Sequence, residues 1–141
     1  MSLEYIEMSI RNIDLGYFSI DALSSFSIPI GGLSLLTFHE TWYIAKEGST
    51  VICIIPKFSV NLAGTGVLTA MLPAQFVDTT STEIIQMHIG LIIDGNNVAG
   101  MMVLTTSTGS ISFDRDQNQE VLSVTASIGS SSDIMITYNL I

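Results

Sequence analysis

Four side chains with oxygen donors alternate along one short polar stretch of the sequence. The stretch reads FDRDQNQEV from 113 to 121, and its donors are Asp114, Asp116, Asn118 and Glu120. A calcium-binding loop supplies its ligands at alternate positions in the same way. An EF-hand also needs a glycine at its sixth position and a glutamate at its twelfth, where this sequence has Gln119 and Thr125. We therefore predict a solvated loop that binds no metal, and these four donors are the candidates for a metal site.

The residue types that could catalyse a reaction are few and separated. His39 and His88 fall within predicted strands, and Glu40 must point to the face opposite to its neighbour His39. Cys53 lies in an apolar run, which predicts a buried thiol rather than a nucleophile. The sequence brings together no nucleophile, base and orienting group. We therefore expect a protein that is not an enzyme and that uses no cofactor.

The adjacent aromatic residues Trp42 and Tyr43 could present a ring to a sugar. In the alternating pattern of their strand, Trp42 shares a face with Phe38 and Ile44, which predicts that it packs in the core. Tyr43 points the other way and is therefore the candidate ligand-binding residue. A carbohydrate-binding jelly-roll module stays open as an alternative function.

The composition argues against two classes of partner. The chain has 141 residues, 13 acids and 4 bases, and its net charge of −9 disfavours binding to nucleic acid or to an anionic membrane. The mean hydropathy of +0.54 would suit a membrane protein. However, the uncharged stretch 22–38 is short for a membrane span and contains several serines, a proline and two glycines. We expect no membrane insertion, and Glu4 and Glu7 lie where a secretion signal would carry positive charge.

The dominant pattern is an apolar residue at every second position, which is typical of half-buried strands. In EIIQMHIGLII, for example, Ile85, Met87, Ile89, Leu91 and Ile93 share one face. We predict strands at about 34–45, 50–60, 67–72, 83–93, 98–105, 110–114, 120–128 and 133–140. The run Asp94–Asn97 predicts a hairpin turn, because Gly and Asn adopt positive φ at low cost. About eight strands with short turns predict an all-β, antiparallel jelly-roll sandwich.

The predicted domain covers residues 1–141 as one unit. Residues 1–30 are harder to assign, because their apolar spacing fits either a short helical seam or strands. We favour an N-terminal arm or a strand extension, since many of these residues are β-branched and Gly16 weakens a helix.

Two of the predicted strands are apolar on both faces, although a sandwich strand needs only one apolar face. These strands are TVICIIPKF and VAGMMVL, and charged residues make up only 12% of the chain. A second apolar face must be covered by something, which predicts a homo-oligomer. The candidate interface residues are Val51, Cys53, Ile55, Met101 and Val103.

The order of several segments resembles a family of viral surface domains. The first, TWYIAKEGSTVICIIPKFSV, combines an aromatic strand, a glycine turn and a Val/Ile strand, and LTAMLPAQFVDTT is similar to a Leu-Pro segment that leads into a loop. Next come IGLIIDGNNVAGMMVLTTSTGSISF and SSSDIMITYNLI, with similar turns and a final strand that contains a tyrosine. Over about residues 41–141, this order resembles the small jelly-roll domains of phage and large DNA-virus surface proteins, which are related in shape to C1q and tumour-necrosis-factor heads.

The resemblance implies a function that depends on surfaces. It implies a homotrimer in a capsid, spike or fibre head, located in the virion, with a structural or receptor-binding role and no catalysis. The implied partners are further copies of the chain, other virion proteins, and a host-surface receptor or glycan.

Overall fold

The computed structural model describes residues 23–33, 37–115 and 121–140. In this part of the chain, twelve strands and one short 3-10 helix, Ala74–Phe76, follow one another. The strands are β1 Ser24–Gly32, β2 Thr37–Glu47, β3 Thr50–Ile55, β4 Ser59–Asn61, β5 Gly64–Gly66, β6 Leu68–Met71, β7 Ile84–Ile93, β8 Asn96–Thr105, β9 Ser110–Asp114, β10 Leu122–Val124, β11 Ser127–Ser130 and β12 Ile134–Asn139.

Ten of these strands form one curled sheet in the order β12-β3-β2-β1-β6-β9-β8-β7-β11-β4, and β10 pairs with β5 in a small second sheet. Every described strand pair is antiparallel. The sheet curls around an apolar core, as the layers of a β-sandwich do. The predicted all-β, antiparallel sandwich is confirmed, but the described strands outnumber the eight or so that were predicted.

Two predicted strands are each divided in the structure. The predicted strand 50–60 is interrupted at Pro56, which lacks the N–H that a ladder position needs. The interruption carries the chain from β3 to β4, at the other end of the sheet order. Phe58 fixes this corner, since its N–H donates to the hydroxyl of Ser130 at 3.2 Å and its carbonyl accepts from the Ser130 N–H at 3.0 Å. The predicted strand 120–128 is divided by a bend at Thr125 and Ala126.

The strand β1 lies inside the region where an arm or a strand extension was predicted. It pairs with β2 on one side and with β6 on the other, so it is an internal strand of the sheet. Ser24–Gly32 is thus a strand of the sheet, whereas residues 1–22 of the predicted arm or strand extension lie outside the described residues. Within the described ranges, no helix is long and apolar enough to cross a membrane.

The core is built from the inward-facing residues of the alternating strands. Trp42 and Phe113 are completely buried, and the Phe113 ring lies edge-on to Phe58 with 6.3 Å between centroids. The alternation predicted for β7 is confirmed, because Leu91 and Ile93 are core residues and the other three predicted side chains pack against the core. Burying one large apolar side chain contributes roughly 1.5–3 kcal/mol, so this layer supplies much of the folding free energy.

The predicted interface residues of β3 were assigned to the wrong face. Val51, Cys53 and Ile55 are each 0% exposed and belong to the main core. Alternation alone cannot choose between two apolar faces, but Cys53 pairs directly with the core residue Ile44 of β2, and paired residues share a face. The other face of β3 carries Ile52 and Ile54.

Those two isoleucines form a small outer cluster that is already covered. Ile52, Ile54 and Ala45 are each at most 3% exposed, and Leu23, Tyr43 and Met135 pack against them. The second apolar face of β3 is therefore buried in the isolated chain.

The prediction for β8 has a different outcome. Met102 and Leu104 lie in the core, so Met101 and Val103 lie on the outward face of this strand. Met101 is buried there and Val103 is half-buried.

Candidate functional site

The hairpin between β7 and β8 turns in only two residues, Asp94 and Gly95. Their φ values are 53° and 83°, and two positive φ angles in a row are typical of a type I′ turn. The predicted Asp-Gly turn is confirmed. Because a type I′ turn matches the twist of its strands, it sets the register of the long β7–β8 ladder.

The side chain of Asp94 fastens this turn to the bend between β10 and β11. Its carboxylate accepts hydrogen bonds from the N–H groups of Ala126 at 2.6 Å, Thr125 at 3.1 Å and Ser127 at 3.1 Å. The Asp94 N–H donates in return to the Ser127 carbonyl at 2.9 Å. These donors, that of Ala126 first, lower the pKa of Asp94 to about 2, because they stabilise the charged form. We call this arrangement the Asp94 clamp.

A polar cleft lies beside the clamp, and we call it the Arg115 cleft. It consists of two hollows of about 220 Å³ and 350 Å³ that share Val98 and Arg115. The smaller hollow is also lined by Ile93, Asp94, Asn96 and Ser123, and the larger one by Asn97 and Ala99. The cleft thus combines a cation, a carboxylate, two amides, a hydroxyl and three apolar side chains, at the small end of the range for ligand sites.

Among the described residues, Arg115 is the only cation that lines either hollow. It directly follows β9, and it is exposed. No other described residue forms an ion pair or a hydrogen bond with its guanidinium. A planar guanidinium can donate two parallel hydrogen bonds to a carboxylate, so this cleft is suited to an anionic group.

Asp114, the first of the four predicted metal-site candidates, is not among the residues that line this cleft. It ends β9 opposite Met101, and its side chain is 5% exposed. Its Oδ1 atom is buried and has no hydrogen-bond partner in the described part of the chain. Burial raises the pKa of Asp114, because the charged form loses water without gaining donors.

The other three candidates, Asp116, Asn118 and Glu120, lie outside the described residues. Among the residues that the structure does describe, no group of three His, Cys, Asp or Glu side chains could hold a metal ion. The absence of a metal site therefore stays a prediction.

The remaining candidates lie apart from the cleft and from one another. Tyr43 is half-buried against the outer cluster on β2 and β3, so it does not form an open platform. Trp42 is a core residue, as predicted. His39 on β2 and His88 on β7 are both exposed, opposite Pro29 and Met101 respectively. Cys53 is buried, and burial raises the pKa of its thiol.

Sequence reasoning missed the Arg115 cleft. In the sequence, Arg115 is one of four basic residues and has no basic neighbour. The Asp-Gly pair predicted a turn but no binding site. The cleft forms because the turn, the end of β9 and Ser123 of β10 meet in the fold. The two asparagines within the predicted turn Asp94–Asn97 were the one local signal of a polar site.

Comparisons with known proteins give one informative likeness. No family model matches the sequence, and no curated protein matches it. Among solved structures, the fold is similar to that of a reovirus attachment protein, sigma1, in a crystal structure with alpha-2,3-sialyllactose. The TM-score is 0.50 at 9% sequence identity, over 84% of this chain and 64% of that chain.

This likeness concerns the fold. The chain spans less than two thirds of the sigma1 chain, and at 9% identity the likeness shows the fold alone. It agrees with the all-β part of the resemblance. The C1q and tumour-necrosis-factor type of head stays a prediction.

Proposed function

We propose that this chain is a receptor-binding domain of a virus particle, which acts through its surfaces and catalyses no reaction. The observation that supports this function is the fold shared with a viral attachment protein. Fold alone does not fix function, so the proposal also depends on what the surface offers.

The surface favours attachment over a purely structural role in the particle. The Arg115 cleft combines polar donors and acceptors with apolar side chains, as small-ligand sites do. The Asp94 clamp holds one wall of the cleft in place before any ligand arrives. A shell protein that only packs against its neighbours needs neither feature.

Binding of the labelled chain to a panel of cultured cells tests this function. We expect saturable binding to at least one cell type, with competition by unlabelled chain. The sigma1 head is the positive control, and sialyllactose is one competitor to include, because the sigma1 structure holds that sugar. A folded chain that binds no cell in a broad panel contradicts the attachment role.

We also propose that the chain forms a homotrimer, in the virion. An exposed apolar row supports self-association: Met71 is 53% exposed and Ile84 is 58% exposed. Both lie on the outward face of one continuous ladder, since Met71 pairs with Ser110, Ser110 with Thr105, and Thr105 with Ile84. Val103 lies on the same face, two residues from Thr105.

Light scattering at low micromolar concentration measures this assembly. We expect a mass three times that of the 15.2 kDa chain. Ile84→Glu would place a charge in the apolar row and should lower the mass, whereas Thr137→Glu, at an exposed position on β12, should not. A well-folded monomer contradicts the oligomer, and a dimer contradicts only the trimer.

A further inference from the structure

We infer that the Arg115 cleft binds a sugar that carries a carboxylate. This inference rests on the proposed attachment function and names the class of receptor that it would recognise. Four properties of the cleft support it: its charge, its hydrogen-bonding groups, its apolar side chains and its rigidity.

The charge argument starts from the whole chain. With a net charge of −9, most of the surface repels anions, so an anion needs a local cation in order to bind. Arg115 is such a cation, and in the described part of the chain no other cation lines the cleft. Lys46 and Lys57 line neither hollow. The guanidinium fits the planar, two-oxygen shape of a carboxylate better than a lysine would.

The other lining groups suit the body of a sugar ring. In the smaller hollow, the Asn96 amide and the Ser123 hydroxyl both donate and accept hydrogen bonds, as the hydroxyl groups of a pyranose do. Val98 shares the Asn96 face of β8 and adds an apolar side chain for the C–H groups of the ring. Asn97 and Ala99 point to the other face of the strand and line the larger hollow. The hollows, at about 220 Å³ and 350 Å³, have room for one or two sugar rings rather than a long chain.

An acid also lines the cleft, but its oxygens are already engaged. Asp94 accepts hydrogen bonds from three backbone N–H groups, and no ion pair joins it to Arg115 within the described structure. The Arg115 guanidinium is exposed and is not neutralised by the one acid among the described residues that line the cleft. The same bonds hold the turn rigid, which lowers the entropy lost when a ligand binds.

A glycan array with the full chain is the first experiment. The array holds glycans that end in sialic or uronic acids, together with sulfated and neutral glycans of matched length. We expect the chain to prefer the carboxylated glycans. If it prefers the sulfated glycans, it recognises an anion by charge alone, and the carboxylate inference fails.

Three variants locate the site. Arg115→Gln should weaken binding to the best carboxylated glycan by about tenfold or more, because the paired charge-assisted hydrogen bonds are lost. Arg115→Lys keeps the charge but not the two parallel donors, and should show an intermediate loss. Lys46→Gln changes the net charge equally at a position outside the cleft, and should bind as the unchanged chain does.

Two-dimensional amide NMR reports on the site even if the affinity is low. Adding N-acetylneuraminate or glucuronate should shift the Arg115 Nε–H signal and the side-chain NH₂ signals of Asn96 and Asn97. Unmoved signals, or a binding loss below about threefold in Arg115→Gln, overturn the inference. If the chain still binds cells in that case, the attachment function stands without this site; if it binds none, both proposals fail.

Discussion

The Asp94 turn and the end of β9 each contain an aspartate, and folding shifts the pKa values of the two carboxyl groups in opposite directions. Asp94 lies at an exposed turn, yet its pKa falls to about 2 because three backbone N–H groups donate to its carboxylate. Asp114 is 5% exposed, and burial raises its pKa while Oδ1 has no donor in the described structure. The exposure of the Asp94 turn alone would therefore not predict the low pKa of Asp94, which depends on its hydrogen bonds.

The two pKa shifts show that the charge of Asp94 stabilises the fold and that the charge of Asp114 does not. Asp94 joins two segments about thirty positions apart, so its charge stabilises the structure. At Asp114, Oδ1 is buried without a hydrogen-bond donor in the described structure, so the charge at this atom has a desolvation cost. The following predictions test this contrast, in order of decreasing effect.

Removal of the clamp should have the largest effect. In Asp94→Ala, three backbone N–H groups lose their acceptor and the hairpin is no longer tied to the β10–β11 bend. We expect a clearly lower urea midpoint at pH 7 than in Glu83→Ala, which removes an equal charge from an exposed position. Equal midpoints for the two variants would contradict the clamp.

The same pair of proteins should differ with pH in a defined direction. Because folding lowers the pKa of Asp94 from 3.8 to about 2, its contribution is fully present above about pH 4 and is lost as the pH falls towards 2. The stability gap between the unchanged chain and Asp94→Ala should therefore close over that interval. A gap that is constant with pH would show that the clamp does not depend on charge.

The turn residue beside the clamp should have the next largest effect. Gly95 has a φ of 83°, a backbone angle that is unfavourable for a β-branched residue. A side chain at this position would meet no neighbouring atom, so the cost lies in the backbone. Gly95→Val should lower the free energy of unfolding by roughly 1–3 kcal/mol through backbone strain. Gly95→Asn, which tolerates positive φ, is the matched control and should lose less. If both variants lose the same free energy of unfolding, the backbone angle at Gly95 is not the cause.

The buried aspartate should respond in the opposite sense. Asp114→Asn removes a buried charge and should stabilise the chain at pH 7 by about 1 kcal/mol in urea unfolding. Since folding raises the pKa of Asp114, the unchanged chain recovers this stability as it is acidified through that raised pKa. The gain should therefore shrink at low pH. A loss of stability at pH 7 would mean that the carboxylate has a stabilising partner.

The last prediction is that calcium does not bind to this chain. We expect calorimetric titration of the full chain to give no heat of binding at physiological calcium concentration. Asp114, the first of the four candidates, is almost completely buried and faces away from water. A micromolar site that disappears in Asp114→Ala would contradict this prediction.

Local patterns predicted the fold well where a strand has one polar face. The alternation along β7 identified its core residues, and the Asp-Gly pair located the turn that sets the register. In both cases neighbours in the sequence determine the structure. The strand ends agreed within a few residues for the same reason.

The errors arose where distant contacts decide the outcome. The five apolar residues of VICII look alike on both faces, and only the pairing of Cys53 with Ile44 shows which face is inside. β1 contains Pro29 and several serines, so it becomes a strand because β2 and β6 flank it. The Arg115 cleft joins residues at positions 93–99, 115 and 123, which no local pattern connects.

The pairing of β3 with β12 also affects how the chain folds. The Thr50 hydroxyl and the Asn139 side chain meet across 89 positions, so this ladder closes only when remote parts of the chain collide. Folds dominated by such contacts form slowly, in roughly milliseconds to seconds. During that time β3 is an apolar strand with an unpaired edge, and such a strand promotes aggregation of partly folded chains. The yield of folded protein therefore depends on chain concentration and on the time that this edge stays open.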